Sequence, residues 1–265
     1  MKAKILYIII LCISIILHSC NDNDITNDKI PIEINNYLVE NYPENNYIHF
    51  DILDESNTDY NIKYIVILNN NNILYFNYNY ILIKIDGNGK ILNFIPPIIG
   101  DDLNNELIKN DYIGEVVSVE KVEYGVKITL LDGKSLAYQI FMCKFLGFDI
   151  TDQMFKYQKT IDQINTFLPN STISNIIKSN DKNEEYYTFW LNKERIIFTY
   201  NDNNEWISIG MIEINKRLPD NVINLLPNKI LDKYSYTKRK TIRKITRDKN
   251  KYTIYFQYSN EILYI

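Results

Sequence analysis

Few side chains in this 265-residue chain are of types and spacings that could do covalent or metal chemistry. His49 stands two residues before Asp51, so a strand would put both on one face, where a base and its orienting carboxylate must lie. No Gly-x-Ser-x-Gly turn supplies a nucleophile for them, and an ordinary surface pair is the preferred reading. Cys143 lies in the apolar run Ile140–Leu146, whereas a reactive thiolate needs an open, positive setting. An inert buried thiol is expected there. Asp86-Gly87-Asn88-Gly89-Lys90 has the start of a calcium loop, but the twelfth position is Pro97, which offers no side-chain oxygen. A tight turn fits better. No Cys/His spacing suits zinc. The expectation is no catalytic residue, no cofactor and no metal.

Binding surfaces are better represented than reactive groups. Lys238, Arg239, Lys240, Arg243, Lys244 and Arg247, continued by Lys249 and Lys251, could meet a polyanion or an acidic protein face. On a strand, alternate members point to opposite sides, and a charge-protected edge strand is the simpler reading. Phe76, Tyr78, Tyr80 and Leu82 fall on one side of a strand, as do Tyr252, Ile254 and Phe256. Such stripes either pack as core or present rings to a protein or a sugar. Tyr78, Tyr80, Trp190 and Trp206 are the candidate binding face.

Lys2 and Lys4 precede thirteen nearly unbroken apolar residues, Ile5 to Leu17, followed by His18-Ser19-Cys20. The run is a secretory core, too short to span a bilayer as a helix. Its end resembles a bacterial lipobox, with Cys20 as the lipid-bearing residue and residues 1–19 as the signal peptide. His18 departs from the residue usual at that position. Residues 20–29 read as a polar tether. Their acidic side chains resemble the signal that sends some lipoproteins to the outer cell surface. A bacterial envelope location follows as an expectation, with lipid anchoring at the outer membrane and contact with the membrane through Cys20. The composition is ordinary for a globular protein, at 46% hydrophobic and 23% charged, with 22 Tyr and 11 Phe against 8 Gly. Net charge is −4, and −6 without residues 1–19, which argues against nucleic acid as a partner.

The elements that must carry these residues show a long repeat. Leu191, Ile196 and Phe198 form a skeleton that returns as Leu68/Ile73/Tyr75, Leu131/Leu136/Tyr138 and, more weakly, Gln257/Ile262/Tyr264, at steps of 63, 60 and 66 residues. Helical patterns over Pro31–Tyr42, Asp101–Asn110, a segment opening at Thr160 with Gln163 as capping partner, and Pro219–Lys233 interrupted at Pro227 precede four sets of strand signals. The expected class is α+β, built of tandem repeats of a helix followed by a three- to four-stranded antiparallel meander, with helices on one sheet face. Pairing of units divides the chain into domains 30–150 and 151–265, with a break at Asp149–Lys159.

In these motifs the chain resembles the PepSY-like, β-lactamase-inhibitor-protein-like domains of bacterial envelope lipoproteins. Ile30-Pro31 and Leu218-Pro219 open helices, Leu68-Asn69 and Leu191-Asn192 begin hairpins, Leu131-Asp132-Gly133 matches the turn, and Trp206 matches an exposed tryptophan. The hairpin glycine is missing from the first and third units, and Ile83 stands where the first unit would carry its tryptophan. The resemblance covers residues 30–265. It implies tandem helix-plus-sheet modules and a sheet surface that holds a partner protein, and it carries no catalytic motif. The function expected is a non-catalytic, lipid-anchored envelope binding protein presenting an aromatic sheet face to a protein. An inhibitor of a secreted or periplasmic hydrolase and a surface lipoprotein binding a polysaccharide are the alternatives.

Overall fold

The computed structural model describes residues 30–53, 62–95, 101–139, 144–181, 184–191, 193–213, 215–249, 251–257 and 259–264. The chain divides into two units, Met1–Asn45 and Asn46–Ile265.

The first unit contains α1 (Ile32–Asn41). Pro31 sits just before its first turn, where no amide donor is needed. Ile34 and Leu38, four apart, share one buried side, and Tyr42 is buried just past the helix end.

The second unit is built on strands. They are β1 (Tyr47–Ile52), β2 (Ile62–Leu68), β3 (Ile73–Asn77), β4 (Leu82–Asp86), β5 (Val116–Val122), β6 (Gly125–Leu130), β7 (Ser135–Gln139) and β8 (Lys144–Asp149). There follow β9 (Asn175–Asp181), β10 (Glu184–Leu191), β11 (Ile196–Asn201), β12 (Trp206–Met211), β13 (Ile242–Asp248), β14 (Lys251–Phe256) and β15 (Asn260–Tyr264). The helices between them are short: α2 (Asp101–Lys109), α3 (Gln158–Phe167), α4 (Asp220–Ile223), α5 (Asn228–Leu231) and α6 (Tyr236–Arg239). A 3₁₀ segment, Thr151–Tyr157, leads into α3.

The expected α+β class of tandem helix-plus-meander repeats is overturned. Among the described residues, all fifteen strands join, in chain order from β1 to β15, into a single antiparallel sheet with few and short helices. The reason lies in strand edges. Each meander expected to end at an edge continues instead into the next, through β4–β5, β8–β9 and β12–β13, because an unpaired row of N–H and C=O groups is costly and adhesive. The three junctions are narrow. β4–β5 and β12–β13 pair over three residues each, and β8–β9 only through Phe148↔Lys178 and Asp149↔Ile177. The β10–β11 ladder, by contrast, runs over six. The stretch 149–159 holds the end of β8, the 3₁₀ segment and the start of α3.

The repeat skeleton also mixes the two faces of the sheet. Leu136, Ile196 and Phe198 point into the core, but Leu131 is 57% exposed, and its neighbour Leu130 is the buried one. In the first copy Leu68, Leu74 and Phe76 are buried, while Ile73 and Tyr75 are only half-buried. A one-residue slip of register exchanges every inward for an outward side chain. Thr160 lies inside α3 rather than capping it, and its hydroxyl donates to Asn204 Oδ1.

Helices cover one face of β9–β14. Ile164 and Leu168 from α3, Val222 and Ile223 from α4, and Ile230 and Leu231 from α5 share a buried cluster with strand residues including Phe189, Phe198, Ile209, Ile245 and Ile254. At roughly 25 cal/mol per Å² of apolar surface buried, such a cluster is the main stabilising element of these strands.

Candidate functional site

The four residues expected to form one binding face are dispersed. Tyr78 and Tyr80 leave the strand line, because β3 ends at Asn77 and a turn follows. Asn77 Oδ1 accepts from the amides of Asn79 and Ile81, and Tyr80 takes a positive φ of 61°. Tyr78 is 48% exposed, with Lys63 Nζ 5.6 Å from its ring centre. The Tyr80 ring stacks on Tyr64 at 5.3 Å. Trp206 is buried on the helix side, against Tyr252 at 6.4 Å and the Arg247 guanidinium at 5.3 Å. Trp190 lies on the opposite, helix-free side of the sheet, half-buried. Cys20 and Cys143 lie outside the described residues.

The other sequence candidates resolve into local roles. His49 Nε2 and Asp51 Oδ2 are 2.7 Å apart, with both side chains about half exposed. Asp86 Oδ1 accepts from the Asn88 amide at 2.8 Å, so the glycine-rich segment is a turn closed by its own carboxylate. Most members of the basic stretch have local partners. Lys238 pairs with Glu261, Arg247 lies 3.7 Å from Glu205, and Arg243 Nε donates to the Phe256 carbonyl at 3.1 Å. Lys240 stands 4.2 Å over the Tyr236 ring and Lys244 5.5 Å over Tyr255. Burial holds the Lys244 ammonium below its ordinary pKa, with Arg243 adding to the effect. The stripe Tyr252, Ile254, Phe256 faces the helices as core.

The helix-free face of β10–β14 carries a feature the sequence reading missed. Thr188, Thr199, Ser208, Thr246 and Thr253 stand directly opposite one another on five successive strands. Each is half-buried, as residues on an open sheet face are. The Thr188 and Thr199 hydroxyls are 3.5 Å apart. Ile197, Gly210, Lys244 and Tyr255 form the adjoining rank. Only the pairing register brings these residues together, since they are spread over 68 positions of the chain, from Thr188 to Tyr255.

Next to this surface the sheet curls over itself. Tyr124, in the β5–β6 turn, lies 6.1 Å from the Trp190 ring, although β6 and β10 are four strands apart, roughly 19 Å on a flat sheet. Tyr124, Ala137 and Ile177 form a small buried cluster there, with Val122, Leu146 and Trp190 against it. The Tyr124 hydroxyl donates to buried Asp149 at 2.7 Å, and Asp149 also accepts from the Thr151 amide and hydroxyl. The Trp190 indole N–H is buried with no acceptor among the described residues.

Two clefts of about 520 and 510 Å³ flank the narrow β8–β9 junction and share Phe148 and Asn180. Their size falls within the range of small-molecule sites. Of their ionisable groups, Asp132 pairs with Lys134 at 2.6 Å, Lys178 reaches Glu185 beyond the lining at 2.6 Å, and Asp149 is held as above.

No family model matches this chain, and no curated protein matches it. Solved structures that resemble it weakly include two bacterial proteins. One is a protein of unknown function provisionally assigned to the periplasm, from Bacteroides vulgatus ATCC 8482, at 20% identity and a TM-score of 0.37. It covers 45% of this chain and 91% of its own. The other, also provisionally periplasmic, is from the DUF2874 family of the same organism, at 16% identity and a TM-score of 0.35, covering 45% of this chain and 90% of its own. At these scores neither likeness bears on the role of this chain.

Proposed function

We propose that this is a non-catalytic, lipid-anchored protein of the bacterial envelope that binds a protein partner on the helix-free face of its sheet. The observation that carries the reading is the hydroxyl rank Thr188–Thr199–Ser208–Thr246–Thr253 with its neighbours Ile197, Lys244 and Tyr255. Helices cover the other face of these strands, while this one presents short hydroxyl side chains, an aliphatic group and an aromatic ring. Such a mixture offers hydrogen bonds and apolar contact at little side-chain entropy cost. The binding surface is therefore moved from the aromatic set Tyr78, Tyr80, Trp190 and Trp206 to this rank. The envelope location and the anchor are supported by the apolar run Ile5 to Leu17 and the Cys20 that follows it.

Two experiments test the reading. A photo-crosslinking amino acid placed at Thr199 in intact cells should give a discrete protein adduct, and the same group at Asn221 on the helix side should not. Equal adducts from both positions, or none from Thr199, would overturn the binding face. Labelled palmitate should enter the parent chain and not Cys20→Ala, and an unlabelled parent would remove the anchor.

A further inference from the structure

A smaller cleft of about 270 Å³ opens on the helix side, where the start of α3 meets the ends of β10 and β11. Four aromatic rings line it in series. Tyr187 lies 5.1 Å from Tyr157, Tyr157 lies 6.1 Å from Phe189, and Phe189 lies 5.6 Å from Tyr200. Tyr157 and Tyr187 are half-buried, so ring surface is accessible at the cleft. The Tyr187 hydroxyl is committed to Glu185 at 2.7 Å. Tyr200 is different. It is 1% exposed, and its hydroxyl has no hydrogen-bond partner among the described residues. A buried hydroxyl without a partner is unfavourable, and native proteins keep few of them unless a ligand or water completes the site.

Polar groups converge on the same cleft. Asn201 accepts from the Glu205 amide, and Asn204 accepts from the Thr160 hydroxyl, both through side-chain oxygen. Their carboxamide N–H groups remain as donors. Lys156 and Lys159 line the cleft against one carboxylate, Asp202, and the Glu185 carboxylate on the Tyr187 hydroxyl is paired with Lys178, so the lining is net positive.

We propose that this cleft binds one pyranose ring bearing a carboxylate, the repeating element of acidic polysaccharides. A pyranose has an apolar C–H face that packs on a tyrosine ring and a belt of hydroxyls that both donate and accept. The cleft supplies rings for the first and a phenol and two carboxamides for the second. Its volume lies just below the usual range for small-molecule sites, which suits one ring rather than a chain of them. The lysines favour the acidic sugar over its neutral counterpart. The inference stands apart from the protein-binding face, since the two lie on opposite sides of the sheet.

The test uses the full chain with D-galacturonate and D-glucuronate as probes and D-galactose as the neutral control, read by saturation-transfer NMR and calorimetric titration. At least one uronate should show transfer to its ring C–H protons and bind about tenfold more tightly than galactose. Tyr200→Phe should weaken that binding about tenfold while raising the melting temperature, because it deletes a buried hydroxyl that is unpartnered without ligand. Those opposite movements separate loss of the site from loss of the fold. Lys159→Ala should reduce uronate binding toward that of galactose. The proposal is overturned if neither uronate shows transfer, if galactose binds as well, or if Tyr200→Phe leaves uronate affinity unchanged.

Discussion

Arg195 Nη1 donates to Glu123 Oε2 at 2.7 Å, although the two residues are 72 apart in the chain. The contact ties the β10–β11 turn to the β5–β6 turn, across the curl that brings Tyr124 onto Trp190. Arg195 Nε also lies 3.3 Å from Glu213. Arg195 achieves this from a positive φ of 57°, a conformation that crowds its Cβ. Gly133, in the β6–β7 turn, also has a positive φ, 86°.

Ion pairing and backbone strain at Arg195 are therefore separable. Arg195→Gly should be more stable than Arg195→Ala by about 1 kcal/mol, because glycine accepts the left-handed conformation freely. A double-mutant cycle with Glu123→Gln should give a coupling of about 0.5–1 kcal/mol, since both side chains are partly exposed. Urea denaturation midpoints check both values.

Gly147 should be far less tolerant than Gly133. It adopts φ 138°, and a Cβ there would collide with the Lys178 carbonyl, at the two-residue junction between β8 and β9. Around Gly133 there is open space. Gly147→Ala should cost more than about 3 kcal/mol, and Gly133→Ala about 1 kcal/mol. Denaturant midpoints and soluble yield of the two variants give the comparison.

Tyr124→Phe isolates one hydrogen bond to a buried carboxylate. Asp149 keeps its two bonds from Thr151 but loses the phenol. The expected cost is about 1.5–3 kcal/mol, the range for bonds to charged groups, measured as a lower urea midpoint with unchanged slope. A neutral result would mean that the curl is not fastened there.

Glu261 gives the protein an acid-sensitive contact. Lys238 and then Tyr234, by hydrogen bonding, hold the Glu261 carboxyl below its ordinary pKa of 4.5. A depressed folded-state value favours the folded state above pH 4.5, and that contribution is lost as pH falls through the depressed value. Between pH 7 and pH 3 the parent should lose more melting temperature than Glu261→Gln. Equal losses would contradict the role of this carboxylate.

Local order was legible in the sequence, and lateral order was not. The Asp132-Gly133 turn, α1, and the interruption at Pro227 follow from φ preferences and the missing proline donor, which are properties of neighbouring residues. The third short helix beyond that interruption, α6, was not anticipated. Burial was harder to read because Ile, Tyr and Thr occur on both faces. Ile65, Ile67, Ile73 and Ile197 are only half-buried beside buried strand neighbours, and they mask the alternation that would have fixed the register. Strands β8 and β9 were overlooked, and with them the narrow junction and its clefts. Asparagine takes up turn positions: Asn71, Asn88, Asn170 and Asn204 all have positive φ. The hydroxyl rank and the Tyr200 cleft depend on which strands become neighbours, and no local pattern encodes that.

The continuous sheet is the claim on which the helix-free surface and the fastened curl both rest. Trp190 and Trp206 both lie beyond the β8–β9 junction, so tryptophan fluorescence reports the later strands while far-ultraviolet circular dichroism reports all of them. Urea unfolding of the second unit followed by the two signals on one sample should give a single shared midpoint, as a cooperative sheet requires. Two separated midpoints, with the dichroism transition splitting in two, would show that the strands on either side of Asp149 fold as independent bodies.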